Sequence, residues 1–137
     1  MFAFALWDRK QETLFIVRDR FGVKPLFYAE LADGTLIFGS ELKALTAHPQ
    51  FQRRLDPLAV EEYFAFGYIA EPRSIYQGCF KLNPGHTLTI KRGQPLPQQR
   101  QYWDMPFKSG GKISEQEAQE ELMRRLHEAV KIRMVSE

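Results

Sequence analysis

The sequence predicts an α+β protein, mainly antiparallel sheet with short helices and one long helix after them, on three observations. Two apolar runs, 2–8 and 12–18, are joined by the polar link Asp8-Arg9-Lys10-Gln11, which has hairpin length. Two further apolar stretches, 26–29 and 35–38, flank the turn signal Ala32-Asp33-Gly34. Near the other end, Ser114 is followed three residues on by Glu117, the pair that forms a capping box, and Leu122, Leu126, Ala129 and Val130 then recur on one helical face.

The first two runs are apolar on both alternating sides: Phe2, Phe4 and Leu6 against Ala3, Ala5 and Trp7, then Leu14 and Ile16 against Phe15 and Val17. That pattern predicts strands buried on both faces, and the four runs in succession predict a four-stranded meander. Such a sheet needs cover on both sides, and the two or three short helices downstream are too few, so part of the partner layer is expected to be missing. Ser40-Glu41-Leu42-Lys43-Ala44-Leu45 uses strong helix formers, and His48-Pro49 closes that helix because the residue before a proline is pushed out of the helical region. A second helix starts at Asp56-Pro57, where Asp caps and Pro suits the first turn, and it ends near Gly67.

An irregular stretch then leads to Cys79, and the turn Lys81-Leu82-Asn83-Pro84-Gly85-His86 launches a strand over 87–91. Pro95 and Pro97 interrupt the chain after that strand, Tyr102-Trp103 reads as a last short strand, and 105–113 reads as a linker. In the long helix, Glu120 with Arg124 and Glu121 with Arg125 are i,i+4 pairs on the solvated side. The apolar strand begins at Met1 with no lead-in and the helical pattern runs to Glu137 with no stop signal, so both ends are expected to lie within a longer protein.

Composition removes several function classes. A chain of 137 residues with 44% hydrophobic and 26% charged residues is ordinary globular material. Nineteen Lys and Arg against seventeen Asp and Glu leave a net charge of +2, far from the basic excess of a nucleic-acid or anionic-membrane binder. Cys79 is the single cysteine, which rules out an intrachain disulfide and a thiolate-rich metal centre and fits a reducing, cytoplasmic setting. No apolar run approaches the roughly 18 residues of a membrane span, and the run at 1–7 lacks the positive lead of a signal peptide.

The candidate motifs each meet a structural alternative. Arg18, Arg20, Phe21, Lys24, Phe27 and Tyr28 interleave charge with aromatics as single-strand nucleic-acid binders do, but Asp19 and the small net charge point to a charged turn. Gly22 sits where a connection between strands calls for positive φ. Cys79 with His48, His86 or His127 lacks any local signature of a cysteine hydrolase and reads as a small buried apolar residue, and the histidine spacing matches no zinc pattern. Ser109-Gly110-Gly111-Lys112 is not a phosphate loop: Pro106 stands where the first glycine belongs and Ile113 where the hydroxyl belongs. It also lacks the aspartate of the Ser-Gly-Gly-x-Asp-Ser loop of pyrophosphatase-type synthetases.

Taken together, Met1-Phe-Ala-Phe-Ala-Leu-Trp-Asp8, Arg18-Asp-Arg-Phe-Gly-Val-Lys-Pro-Leu-Phe-Tyr28, Phe38-Gly-Ser-Glu-Leu-Lys-Ala-Leu45, Asp56-Pro-Leu-Ala-Val-Glu-Glu-Tyr63, Glu71-Pro-Arg-Ser-Ile-Tyr76 and Lys81-Leu-Asn-Pro-Gly-His86 resemble the glutamine-hydrolysing asparagine synthetase family. The resemblance covers nearly the whole chain and is nearest to the amidotransferases that accompany bacterial exosortase and exopolysaccharide systems. It implies an Ntn-type α-β-β-α sandwich, the class II glutaminase domain, which frees ammonia from glutamine for a second domain that activates an acceptor carboxylate with ATP and magnesium. Residues 1–104 then correspond to the C-terminal part of the glutaminase, 105–113 to the linker, and 114–137 to the first helix of the synthetase domain.

The family's nucleophile is a cysteine at the mature N-terminus, with an upstream arginine, Asn-Gly-Glu and Asp holding glutamine. Here Phe2 follows Met1 and the one asparagine, Asn83, precedes Pro84, so no catalytic, glutamine-binding, ATP-binding or metal residue is assigned. By resemblance, Arg18, Asp19, Gly22, Lys24, Pro25, Ser40 and Glu41 form a framework motif, with Arg18 to Asp19 and Lys24 to Glu41 as candidate ion pairs. The implied whole enzyme uses glutamine, ATP and an acceptor carboxylate, while residues 1–137 need no cofactor and are expected to be silent by themselves. The alternative is a non-catalytic interaction module, a homo-oligomer or the partner of a longer relative, pairing through an incomplete sheet.

Overall fold

The computed structural model describes residues 1–107 and 113–134. Ser109-Gly110-Gly111-Lys112, most of the expected linker and the last three residues lie outside the described residues. The chain divides into two units, 1–105 and 106–137.

The first unit holds seven strands in two sheets. Strands β1 (Ala3–Asp8) and β2 (Thr13–Arg18) form the expected hairpin, in register from Ala3 opposite Arg18 to Asp8 opposite Thr13. The expected four-stranded meander does not form. β2 pairs on its other side with β6 (His86–Lys91), with Ile16 opposite Leu88, while β3 (Phe27–Glu30) leaves for a second sheet. There it lies between β4 (Leu36–Gly39) and β5 (Cys79–Lys81), giving the orders β1-β2-β6-β7 and β4-β3-β5. The cause is the connection 19–26, which is too long for a tight hairpin and wraps around the Asp19 side chain before β3 begins.

Two further expectations are corrected. β5 occupies part of the stretch read as irregular, because its three residues are too short to show a period of two. β7 is Arg100–Gln101, one step before Tyr102-Trp103, whose amides turn back to the Gly85 carbonyl.

The core lies between the sheets: Ile16 and Leu88 of the first pack with Tyr28 of the second and with Leu26 and Leu82, which flank β3 and β5. Helix α1 (Leu42–Thr46) covers the other side of the second sheet, where Leu45 meets Ala29 and Cys79. It starts after Ser40 and Glu41, with Glu41 as an N-cap that makes no side-chain bond. Helix α2 (Pro57–Phe66) has the expected start and stop: Asp56 accepts the Leu58 amide, Pro57 opens the first turn, and Gly67 closes it at φ 76°.

Among the described residues of the first unit, no further layer covers the outer face of the first sheet. Phe2, Phe4 and Phe15 form a row of tilted ring contacts there, and Phe4 and Leu6 stay 49% and 58% exposed. The expectation that β1 is buried on both sides fails: Ala3 packs under the core, but the larger residues of β1 face solvent.

The second unit is helix α3 (Glu115–Arg133). Its capping box forms as expected, with Ser114 accepting the Glu117 amide and Glu117 accepting the Ser114 amide. Glu121 with Arg125 forms, but Arg124 turns to Glu121 and Glu128 rather than Glu120, which is taken by Gln116. Hydrogen bonds from Arg124 and then Arg125 hold the Glu121 carboxyl down to about 2.

Candidate functional site

The charged turn that begins at the end of β2 is a buried hub of hydrogen bonds. Arg18 and Asp19 are 6% and 5% exposed, so every polar atom they carry needs a partner. Asp19 Oδ1 accepts the amides of Phe21 and Val23 at 3.1 Å, and Oδ2 accepts those of Lys24 at 3.0 Å and Phe2 at 3.2 Å. The Asp19 amide donates in return to the Phe2 carbonyl at 2.8 Å, and the Gly22 and Gly85 amides donate to the Asp19 carbonyl. Burial pushes the Asp19 carboxyl up, but the four amides, Lys24 first, outweigh it and hold the group below its ordinary value of 3.8.

The Arg18 guanidinium points the other way and uses its planar fork to reach four acceptors. Nε donates to the Lys24 carbonyl at 2.9 Å, Nη2 to the Gly22 carbonyl at 2.7 Å, and Nη1 to the Leu82 carbonyl at 2.6 Å and Glu71 Oε1 at 2.7 Å. Tyr102 Oη donates to the Arg18 carbonyl at 2.8 Å. Two adjacent residues of opposite charge therefore organise segments at 2, 21–24, 71 and 82 through their side chains and at 85 and 102 through their carbonyls, and they are not an ion pair with each other. The partner of Arg18 is Glu71.

Gly22 stands at φ 63°, and a Cβ there would lie 2.8 Å from Arg18 Nη2 and from Pro84 Cγ. The position needs glycine for conformation and for space. Lys24 takes part through its backbone amide and carbonyl while its side chain is exposed, as is Pro25. Ser40 and Glu41 are exposed at the start of α1, and Lys24 with Glu41 is not among the ion pairs of the described residues. Sequence reasoning missed Glu71, Gly85 and Tyr102, because nothing in local spacing announces partners 53 to 84 positions away.

A second polar cluster borders a cleft of about 430 Å³ between the start of α2 and β5. Arg73 joins Asp56 at 3.3 Å and Glu62 at 2.7 Å. Cys79 lies at this cleft and is 1% exposed; burial pushes its thiol up, against a lowering hydrogen bond with Ser74. That is the opposite of an activated nucleophile. His86 Nδ1 is engaged 2.7 Å from the Pro84 carbonyl. Among the described residues no group of three or more His, Cys, Asp or Glu converges on a metal position, and no helix is long and apolar enough to cross a membrane.

The sequence family described as glutamine amidotransferase domain matches residues 1–103. The Bacillus subtilis protein named asparagine synthetase (glutamine-hydrolyzing) 3 is 42% identical over 93 residues, 67% of this chain and 15% of its own length. A Methanocaldococcus jannaschii relative is 38% identical over 141 residues, covering all of this chain and 27% of its own. The Penicillium rubens protein named amidase chyE is 33% identical over 139 residues, 97% of this chain and 19% of its own. The chain thus spans between 15% and 27% of the length of these relatives.

Proposed function

From the premise that the chain belongs to the glutamine amidotransferase domain family, with asparagine synthetases among its relatives, we propose that it serves as the framework of a glutaminase within a glutamine-dependent, ATP-consuming, amide-forming ligase. The observation that carries this reading is the Arg18 and Asp19 hub, in which Asp19 accepts four backbone amides and four of the five Arg18 N–H donors go to three backbone carbonyls and Glu71, so its hydrogen bonds are spent on holding the fold. The chain's one thiol, Cys79, is buried and burial pushes its pKa up, which speaks against Cys79 as a nucleophile. The reading includes the Ntn-type sandwich, with the bare face of the first sheet as the seat of its second helical layer, an acceptor carboxylate that is aspartate or another, and a cytoplasmic setting.

ATP and magnesium belong to the proposed ligase as a whole. Among the described residues no group of three or more His, Cys, Asp or Glu gathers at a metal position, and no step through ATP or magnesium is derived for this chain.

Co-expression tests the framework reading. The chain is paired with a polypeptide carrying the Cys-first half of a relative's glutaminase domain, and glutamate release from glutamine is followed. The expected result is activity from the pair, none from either part, and loss of the pair's activity on Asp19→Ala. A pair that associates but stays inactive, or a chain active alone, overturns it.

A second reading, a non-catalytic interaction module, is favoured by one observation. β1 has a sheet neighbour on one side alone, and its outer face carries exposed Phe4 and Leu6. Under that reading the same pair associates without gaining glutaminase activity.

A further inference from the structure

Residues 68–71 form the rim of the cleft beside α2, and they are held in an unusual way. Tyr68, Ala70 and Glu71 are exposed and Ile69 is half-buried, so no residue of this strap is anchored in the core. Its one backbone-to-backbone bond is local, from the Arg73 amide to the Ala70 carbonyl. The tethers that reach it from elsewhere are three charged side chains of three different elements. Glu62 of α2 accepts the Ala70 amide at 3.2 Å, Lys81 Nζ of β5 donates to the Ile69 carbonyl at 2.7 Å, and Arg18 of β2 pairs with Glu71 at 2.7 Å. The strap is pinned at each end: Gly67 closes α2 with a bond to the Tyr63 carbonyl, and the Lys81 amide binds the Pro72 carbonyl at 2.7 Å.

A segment without buried apolar anchors opens at low free energy, and the two tethers made by the half-buried Glu62 and Lys81 weaken with salt, while the buried Arg18 keeps its hold on Glu71. We infer that residues 68–71 are an ionic clasp over the cleft. The strap swings between Gly67 and the Arg18–Glu71 pair when the Lys81 and Glu62 contacts release, widening access to a floor that includes Phe80. The clasp is a conformational device, and it stands on the geometry of this chain whether or not the chain serves a glutaminase.

Amide hydrogen exchange on the full chain tests it, with Ala70 and Arg73 as reporters of the strap and the amides of β2 as reporters of the core. The expected result is strap exchange about tenfold or more faster than β2, rising a further several-fold in 0.5 M salt and in Lys81→Met, with β2 unchanged and Lys81→Arg close to the parent. Strap amides exchanging in step with β2, indifference to both salt and Lys81→Met, or uniformly fast exchange including β2 would each overturn it. Because the readout needs no glutamine, its failure is separable from failure of the glutaminase framework.

Discussion

At the scale of single residues, the fold turns on one carboxylate. Asp19 accepts four backbone amides, and its removal leaves these part-buried donors without their partner, a cost of about 1–3 kcal/mol for each one that water does not reach. Asp19→Ala is therefore expected to lower stability in urea unfolding by about 3 kcal/mol, near the upper range for a point change. The acid limb has a definite sign. A carboxyl held below its ordinary 3.8 in the folded chain stabilises the fold above that pH, and this contribution disappears as pH falls through the lowered value. Asp19→Asn should flatten the loss of stability below 3.8; an acid limb identical to the parent's would place the cause in other groups. Gly22→Ala should also destabilise, since the new Cβ meets Arg18 and Pro84 at 2.8 Å at a positive φ.

At the scale of elements, the two sides of the first sheet behave differently, and that difference is measurable. Leu88 is 1% exposed between the sheets, whereas Phe4 on the outer face is half exposed. Leu88→Ala is expected to cost about 2–5 kcal/mol, and Phe4→Lys less than about 1 kcal/mol while reducing binding of an apolar dye and self-association. Equal stability losses at the two positions would mean that the outer face is covered in solution.

The same contrast explains what the sequence discloses. Strand runs, both helix starts and the capping box at Ser114 are legible because each is a local pattern of alternation or capping. The partition into two sheets is not, because alternation tells which residues form a strand and not which strand lies beside it. Of the ion pairs expected from spacing, Glu121 with Arg125 forms, but Arg18 bypasses neighbouring Asp19 and reaches Glu71, and Arg124 prefers Glu121 and Glu128 to Glu120. In the candidate site, Arg18, Asp19 and Gly22 stand out in the sequence as one motif, but their long-range partners become visible only in three dimensions.

At the scale of the whole molecule, the layers of the first unit run from α1 through the second sheet to the first, whose outer face is bare. A chain so built has a well-packed interior around Ile16 and Leu88 and an apolar surface ready for a further layer. Under the proposed function it supports chemistry carried out by groups other than its own, in keeping with a buried thiol and with a hub whose bonds go to backbone and Glu71. The most direct test is to measure glutamate release from glutamine by the purified 137-residue chain, with Cys79→Ser alongside. Release at the buffer rate for both proteins is the predicted result. Glutamine hydrolysis by the parent that Cys79→Ser abolishes would contradict the account, because it would make the buried cysteine a nucleophile.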